Sequence, residues 1–456
     1  MNRRFDAIVI GAGQAGPPMA GRLAASGRKV ALIERKLIGG TCVNVGCTPT
    51  KTLVASAYAA HLARRGAEFG VTVGPVGIDF PAVMARKNQV VGKSRSGLET
   101  WLEGMANCTI IRGHARFLSP TTVQAGDEAL EAERIFINVG GRAVIPDFPG
   151  RDQVRTLTNT TLLELDAPPR RLVVVGGSYV GLEFAQVFRR LGAEVTVVEK
   201  AARLVSREDE EVSDAIREIL EAEGIEIRLA SECIRFEPRG AEIAVGVDCR
   251  SGEPEVIGSH VLLAVGRRPN TDDLGLEAAG VEVDAHGYIV VDETLKTSVP
   301  HIWALGDCNG RGAFTHTSYN DFEIAAANLI DGAQRKVSDR ISVYALYVDP
   351  PLGRVGLTEA EARAKGHAIR IGRRPMTRVG RAVEKGETKG FMKVVVDRNS
   401  DAILGAAILG VGGDEAIHGV IEAMGAGVTA SAYARVMAIH PTISELVPTI
   451  FGELSP

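Results

Sequence analysis

At 456 residues the chain is too long for a single hydrophobic core, and about two to four domains are expected. A formal net charge of −4 leaves no basic footprint for nucleic acid, and no apolar run approaches bilayer length, so neither nucleic acid nor membrane is an expected partner. Six cysteines exclude a disulfide scaffold; only Cys42 and Cys47 fall close together, and such a pair in a reducing compartment points to catalysis or metal binding.

The first element is the apolar strand Ala7-Ile8-Val9-Ile10. It stops at a glycine turn, so it reads as a buried strand and not as a signal peptide, and the cytoplasm is the expected location. Gly11-Ala12-Gly13-Gln14-Ala15-Gly16 is a complete GxGxxG between this strand and a helix. Gly11 allows the tight turn, Gly13 lets a pyrophosphate approach the backbone, and Gly16 lets helix and strand pack closely. The helix N-terminus adds amide donors and the positive end of its dipole. Pro17 and Pro18 fall in its first turn, where a missing amide does least harm. Glu34, at the end of the next strand, is placed to accept hydrogen bonds from a ribose diol.

Directly after this unit comes Gly39-Gly40-Thr41-Cys42-Val43-Asn44-Val45-Gly46-Cys47-Thr48-Pro49-Thr50-Lys51. Zinc sites use two-residue gaps and two further ligands, and no second pair is present, so no metal centre is expected. A disulfide beside a cofactor's reactive ring suits the position, with a helix N-terminus and Lys51 both favouring thiolate. Cys108, Cys233, Cys249 and Cys308 are scattered singly and read as small buried or partly exposed thiols. A closing strand at Arg134–Val139 precedes Gly140-Gly141, and Pro146, Pro149 and Gly150 mark a boundary.

Residues 172–200 then repeat the pattern of residues 7–35 at a constant offset. Gly176 matches Gly11, Gly181 matches Gly16, Gly192 matches Gly27 and Glu199 matches Glu34, so one βαβ unit occurs twice. In Gly176-Gly177-Ser178-Tyr179-Val180-Gly181 a small serine stands for the middle glycine. The carboxylate of Glu199 favours the free 2′-hydroxyl of NADH over the 2′-phosphate of NADPH, although Arg203 and Arg207 lie near enough to hold a phosphate. Two dinucleotide sites in one chain imply two cofactors exchanging electrons. This half closes with the strand Val261–Val265 before Gly266, and Ile302–Asp307 is another strand running into a turn through Gly306. From about residue 336 short strands and helices without a nucleotide turn suggest a separate domain.

The segment GGTCVNVGCTPTK resembles the redox motif of the class I pyridine nucleotide-disulfide oxidoreductases, among them dihydrolipoyl dehydrogenase, glutathione reductase and mercuric reductase. The resemblance spans the chain. It takes in the first GxGxxG, the strand ending at Gly140, Tyr179 to Glu183, Gly306-Asp307 and His440-Pro441-Thr442-Ile443-Ser444-Glu445. It implies an α/β fold with two Rossmann-like dinucleotide-binding domains and a C-terminal α+β dimerisation domain. Residues 1–150 and 271–335 would bind FAD, 151–270 would bind NAD(P)H, and 336–456 would form the subunit interface.

The resemblance also implies roles. Gly11, Gly13, Gly16 and Glu34 would hold the FAD pyrophosphate and adenosine ribose, with Thr41 and Gly140 beside the cofactor. Asp307, following Gly306, would contact its ribityl or phosphate. Gly176, Gly177, Gly181, Glu199 and Gly266 would serve the nicotinamide nucleotide, and Tyr179 would gate its pocket. Lys51, paired with Glu183, would stabilise charge near flavin N5. Cys42 and Cys47 would form the redox-active disulfide, Cys47 as the charge-transfer thiolate and Cys42 as the interchange thiol. His440, donated across a homodimer interface and oriented by Glu445, would be the acid–base partner of Cys42. That last role has independent support, since thiol exchange moves a proton between sulfurs and imidazole titrates in the right range. His114, His316 and His418 read as ordinary histidines.

The implied activity is electron transfer from NAD(P)H, with NADH favoured, through FAD and the disulfide to a small disulfide or related acceptor. Dihydrolipoyl dehydrogenase is the runner-up. A metal-ion reductase is a further alternative: GQAGPPMA and Arg207-Glu208-Asp209 resemble the mercuric branch. Pro350-Pro351-Leu352-Gly353-Arg354-Val355-Gly356 is similar to mercuric-reductase-like flavoproteins, including those associated with reactive-chlorine resistance. The ending FGELSP lacks that branch's cysteine pair, which argues against mercury itself. Glutathione reductase is disfavoured by Glu199. The basic stretch Arg373–Arg381 reads as a solvated loop or, less simply, as a binding site for an anionic substrate. An alternative of another class is a flavin-bearing redox sensor, or a structural subunit of a multienzyme complex.

Overall fold

The computed structural model describes residues 3–248 and 253–455. Cys249 lies outside them, as does the side chain of Cys233. The chain divides into two compact units, one of Met1–Thr52, Pro81–Val144 and Gly266–Arg340, the other of Leu53–Phe80, Ile145–Val265 and Ile341–Pro456.

In the first unit the strand Arg3–Ile10 ends in four fully buried residues, and Val30–Glu34 is buried throughout. Continuous apolar runs of this kind suit a parallel sheet covered on both faces. Accordingly Arg3–Ile10 pairs in parallel with Val30–Glu34 on one side and Glu128–Ile137 on the other. Cys108–Arg112 extends the sheet beyond Val30–Glu34, and Ile302–Ala304 adds to Glu128–Ile137, all in parallel. Thr122–Ala125 and Ala115–Ser119 continue it as an antiparallel meander. Parallel neighbours need a crossover, which the helix Gly16–Ala25 supplies. Trp303 lies opposite Phe136 in the register, and their rings stack with centroids 4.9 Å apart. Such a pair adds about 0.5–1.5 kcal/mol to its area burial.

Among the described residues the second unit holds three sheets. A parallel one runs Glu226–Arg228, Glu194–Val198, Arg171–Val175, His260–Leu263, Thr156–Leu157. An antiparallel one joins Glu232–Arg239, Glu242–Asp248 and Glu255–Gly258. The third, also antiparallel, orders Val343–Leu346, Leu352–Gly356, Ile403–Leu409, Phe391–Asp397 and Ile369–Pro375. Phe391–Asp397 is buried along its whole length, as the centre of a covered sheet should be.

The two expected closing strands are present but finish two residues early, at Ile137 and Leu263. Asn138 keeps its amide on Ile10 O at 2.7 Å while its side chain serves the first glycine turn. The basic stretch is strand, turn and helix and not a loop. Arg373 and Arg374 lie in the strand Ile369–Pro375, and Arg381 in the helix Gly380–Glu384. Arg373 pairs with Glu211 at 2.8 Å, the buried Arg374 with Glu453, and Arg381 with Glu384. Their charges are taken up within the fold.

Candidate active site

The first dinucleotide turn is built so that no side chain fits its corners. Gly11 has φ +102°, and a Cβ there would stand 2.3 Å from the carbonyl oxygen of Asn138. A Cβ on Gly16 would meet the Gly11 carbonyl at 2.0 Å, while Gly13 would meet only the Asn138 side-chain oxygen at 3.1 Å. Gly13 is therefore less tightly enclosed by backbone than Gly11 and Gly16. Asn138 ties the turn together: Gly16 N donates to its Oδ1 at 3.0 Å, and its Nδ2 donates to Leu305 O at 2.8 Å. Glu34 is nearly buried, with Oε2 accepting from Ala12 N at 2.8 Å and Oε1 from Lys36 N at 2.7 Å. Each oxygen keeps lone pairs for a ribose diol, and the cradle fits a dinucleotide.

The cysteine segment lies against this turn. Gly39 N donates to Ala12 O at 2.8 Å, and a Cβ on Gly40 would come within 2.8 Å of Gly13 Cα. Cys42 and Thr41 sit in the short helix Gly40–Val45, and Cys47 opens the helix Cys47–Arg64. Gly46 breaks the two apart, and a Cβ on it would strike Thr41 O at 2.8 Å. The break folds the CxxxxC spacing until the sulfurs meet. Both cysteines are free thiols, with Cys47 exposed and Cys42 half-buried. The hydrogen bond with Cys47 raises the Cys42 pKa, burial adds to that, and Thr315 and Lys51 oppose it. Cys42 therefore holds its proton above the ordinary thiol range. Lys51 follows Cys47 by one helical turn, which puts its ammonium on the same face.

Sequence reasoning missed Thr315. Its hydroxyl lies 3.3 Å from the sulfur of Cys47, at the start of the helix Thr315–Ile330. Nothing local marks it, because the contact spans most of the chain. Asn138 was missed for the same reason. Gly306 has φ +77°, its amide donates to Asp321 Oδ2 at 2.7 Å, and a Cβ there would stand 2.5 Å from Ser318 Oγ. That turn presents Asp307, whose carboxyl is pushed up by burial and pulled back by Arg267 at 3.8 Å. Gly140, with φ +62°, accepts Asn270 N through its carbonyl, and Gly266, with φ +125°, accepts Val144 N.

In the second unit the turn recurs with the same mechanics. A Cβ on Gly176 would stand 2.4 Å from Ala264 O, and one on Gly181 would stand 2.0 Å from Gly176 O. Gly177 N donates to Glu199 Oε2 at 2.5 Å and Ala201 N to Oε1 at 2.7 Å. Tyr179 opens the helix Tyr179–Arg190, and burial pushes its phenol up to about 12. Glu183, one turn on, is buried and accepts Tyr347 N at 3.0 Å. Lys51 belongs to the first unit and Glu183 to the second. His440 Nδ1 and Glu445 Oε2 are 2.9 Å apart, with the imidazole 81% exposed and the carboxylate almost covered. Among the described residues no group of histidine, cysteine and carboxylate side chains stands together to hold a metal ion. No helix among them is long and apolar enough to cross a membrane.

Two dinucleotide turns and a close dithiol are the working parts of a two-cofactor redox enzyme. The family model described as pyridine nucleotide-disulphide oxidoreductase matches residues 5–321, and its dimerisation domain matches residues 342–450. The probable pyridine nucleotide-disulfide oxidoreductase RclA of Escherichia coli is 35% identical over 98% of this chain and 99% of its own. A solved structure titled HOCl-induced flavoprotein disulfide reductase RclA superposes with a TM-score of 0.89 at 34% identity, covering 98% of this chain and 99% of that one. A mercuric reductase of Streptomyces lividans is 35% identical over 97% of this chain and 94% of its own. A dihydrolipoyl dehydrogenase of Thermus scotoductus is 34% identical over 97% and 96%.

This chain belongs to the pyridine nucleotide-disulphide oxidoreductase family. It is a flavoprotein oxidoreductase of the FAD- and NAD(P)H-dependent kind, with two Rossmann-like folds and a C-terminal dimerisation domain.

Proposed function

We propose that this enzyme draws electrons from NADH and delivers them, through Cys42 and Cys47, to a small disulfide or related acceptor. One observation carries the reading: the two sulfurs stand in hydrogen-bond contact across the Gly46 break. In this reading residues 1–150 and 271–335 bind FAD, 151–270 bind the nicotinamide nucleotide, and 336–456 join two copies. Gly11, Gly13, Gly16, Glu34, Thr41, Gly140, Gly306 and Asp307 hold FAD. Gly176, Gly177, Gly181, Glu199 and Gly266 hold the nucleotide, and Tyr179 gates it. The preference for NADH is supported by the Glu199 carboxylate, which two backbone amides fix where a 2′-phosphate would meet its charge.

FAD, held by the first glycine turn and Glu34, would supply a hydride acceptor and a two-electron donor for the disulfide. Lys51 stabilises the charge that accompanies the transfer, with Glu183 as its partner. In the dithiol so formed Cys42 holds the proton and Cys47 is the thiolate. His440, steadied by Glu445, takes the Cys42 proton as that sulfur attacks the acceptor disulfide. The acceptor S–S bond breaks, a mixed disulfide forms, and the departing thiolate receives the proton from His440. Cys47 then attacks the Cys42 sulfur, releasing the second thiolate and restoring the Cys42–Cys47 bond. Two electrons leave the pair, and one thiol and one thiolate leave the site, the thiolate taking its proton from water.

Anaerobic titration of the holoenzyme with NADH tests this. A long-wavelength charge-transfer band is expected at two-electron reduction, and Cys47→Ser should abolish it. Wild-type enzyme without that band would overturn the mechanism. Turnover with lipoamide, glutathione disulfide, other small disulfides, mercuric and cupric ions then selects the acceptor, and failure with all of them would favour a sensor.

A further inference from the structure

One residue at the C-terminal edge of the first unit's sheet reaches towards both of its neighbours. Glu128–Ile137 lies between Arg3–Ile10 and Ile302–Ala304, and Asn138 is the first residue beyond it. Each neighbouring strand runs into a turn, at residues 11–16 on one side and 305–307 on the other. Asn138 is 5% exposed and its side chain bridges the two. Its Oδ1 accepts the amide of Gly16 at 3.0 Å, and its Nδ2 donates to the carbonyl of Leu305 at 2.8 Å. Glycines of both turns pack on this one group. A Cβ on Gly13 would stand 3.1 Å from Oδ1, and one on Gly306 would stand 3.0 Å from Nδ2.

A carboxamide suits this place for a chemical reason. One neighbour needs an acceptor and the other a donor, and a single short side chain supplies both. Aspartate would set a second acceptor against the Leu305 carbonyl, and serine is too short to reach both ways. The N-cap residue Ala15 offers no side-chain bond, and Pro17 and Pro18 have no amide. The cap for Gly16 therefore comes from a strand 122 residues away.

The second unit has no such bridge. Ala264 holds the equivalent place: its amide donates to Val175 O at 2.8 Å, as that of Asn138 does to Ile10 O at 2.7 Å. The Ala264 carbonyl faces Gly176 as that of Asn138 faces Gly11. The turn read as serving a nucleotide that comes and goes thus has a methyl group, where the turn read as keeping FAD has a bridging amide.

We propose that Asn138 is a positioning residue for FAD, locking the turn at residues 11–16 to the turn at 305–307 so that both hold the cofactor at once. This rests on the reading of the two turns as FAD contacts. Asn138 acts through Gly16 and through the turn that presents Asp307.

Flavin release from diluted holoenzyme, followed by the rise in flavin fluorescence, tests this, with melting temperature read on the same samples. Asn138→Ala gives the first turn the residue with which the second already folds. It should speed FAD release by about 10-fold, since two buried groups lose their partner. Asp307→Asn should speed release by a similar factor. The double variant decides between locking and independent action. With the lock gone Asp307 is already out of place, so the further effect of Asp307→Asn should shrink by more than about 2-fold. Factors that multiply to within about 2-fold would overturn the positioning role, as would unchanged FAD release in Asn138→Ala, whatever its melting temperature. Asn138→Ser takes the place of Asn138→Ala if that chain does not fold. Failure of both to fold assigns the residue to stability alone and overturns the proposal. If Asp307→Asn by itself leaves release unchanged, the assignment of Asp307 to FAD is what fails, and this proposal fails with it.

Discussion

Glu199 accepts the backbone amide of Gly177 at 2.5 Å, and Glu34 does the same for Ala12 at 2.8 Å. Glu34 is the last residue of Val30–Glu34 and Glu199 directly follows Glu194–Val198, and each clasps the glycine turn that follows the first strand of its unit. The acidic residue therefore braces the turn, and in the proposed reading it also faces the ribose. In the second unit this bears on nucleotide choice. Wild-type enzyme should show higher kcat/KM with NADH than with NADPH. Glu199→Gln keeps an acceptor for Gly177 N but removes the charge, and should narrow the preference by about 10-fold, or about 1.4 kcal/mol. Steady-state kinetics with both nucleotides checks this, and an unchanged ratio would remove Glu199 from specificity.

The glycines of the first turn should separate by the space each leaves. A methyl on Gly16 would stand 2.0 Å from the Gly11 carbonyl, backbone that cannot yield without opening the turn. Gly16→Ala should therefore cost FAD retention and stability together. A methyl on Gly13 would press on the Asn138 side-chain oxygen at 3.1 Å, which need give by only a few tenths of an ångström, though it also holds Gly16 N. Gly13→Ala should fold with little loss of thermal midpoint yet bind FAD more weakly. Flavin-to-protein ratio and melting temperature, measured on the same samples, distinguish the two.

The parts legible in the sequence were those whose chemistry is local. Both glycine turns, their acidic partners and the cysteine pair announce themselves within about thirty residues, because a βαβ unit is one continuous segment. Asn138 and Thr315 were invisible for the opposite reason. Each acts on distant segments through its side chain, and an isolated asparagine or threonine carries no periodic signal. The stretch Arg373–Arg381 misled because charge density suggests solvent, whereas Arg373 and Arg374 find carboxylates at Glu211 and Glu453 that only the tertiary fold supplies.

The shared proton of the dithiol gives a pH prediction with a definite sign. Cys42 is raised above the usual thiol range first by its hydrogen bond with Cys47, then by burial, and the Cys47 charge acts in the same direction. Cys47→Ser removes the thiolate neighbour, so the midpoint for Cys42 ionisation should fall towards the ordinary thiol value. Thr315→Val deletes a hydrogen bond that favours the Cys42 thiolate, so in the reduced enzyme the midpoint should rise further. The pH dependence of iodoacetamide alkylation at Cys42, followed by peptide mass, reads both shifts. Shifts of the reverse sign would show that the proton does not rest on Cys42.

The His440–Glu445 pair should act on only one half of the turnover. Their atoms are 2.9 Å apart, and the covered carboxylate fixes a largely exposed ring. Glu445→Gln preserves a hydrogen bond to Nδ1 but removes the charge that supports an imidazolium, while His440→Gln removes the base altogether. General acid–base catalysis is worth about 10²–10⁴-fold. His440→Gln should slow reoxidation of the reduced enzyme by a disulfide within that range, and Glu445→Gln should slow it less. Flavin reduction by NADH precedes the thiol exchange, so its rate should stay close to wild type in both variants. Stopped-flow measurement of the two half-reactions separates these effects. Equal slowing of both halves would mean that the pair supports the fold or the subunit interface, and that Cys42 gives up its proton to some other base.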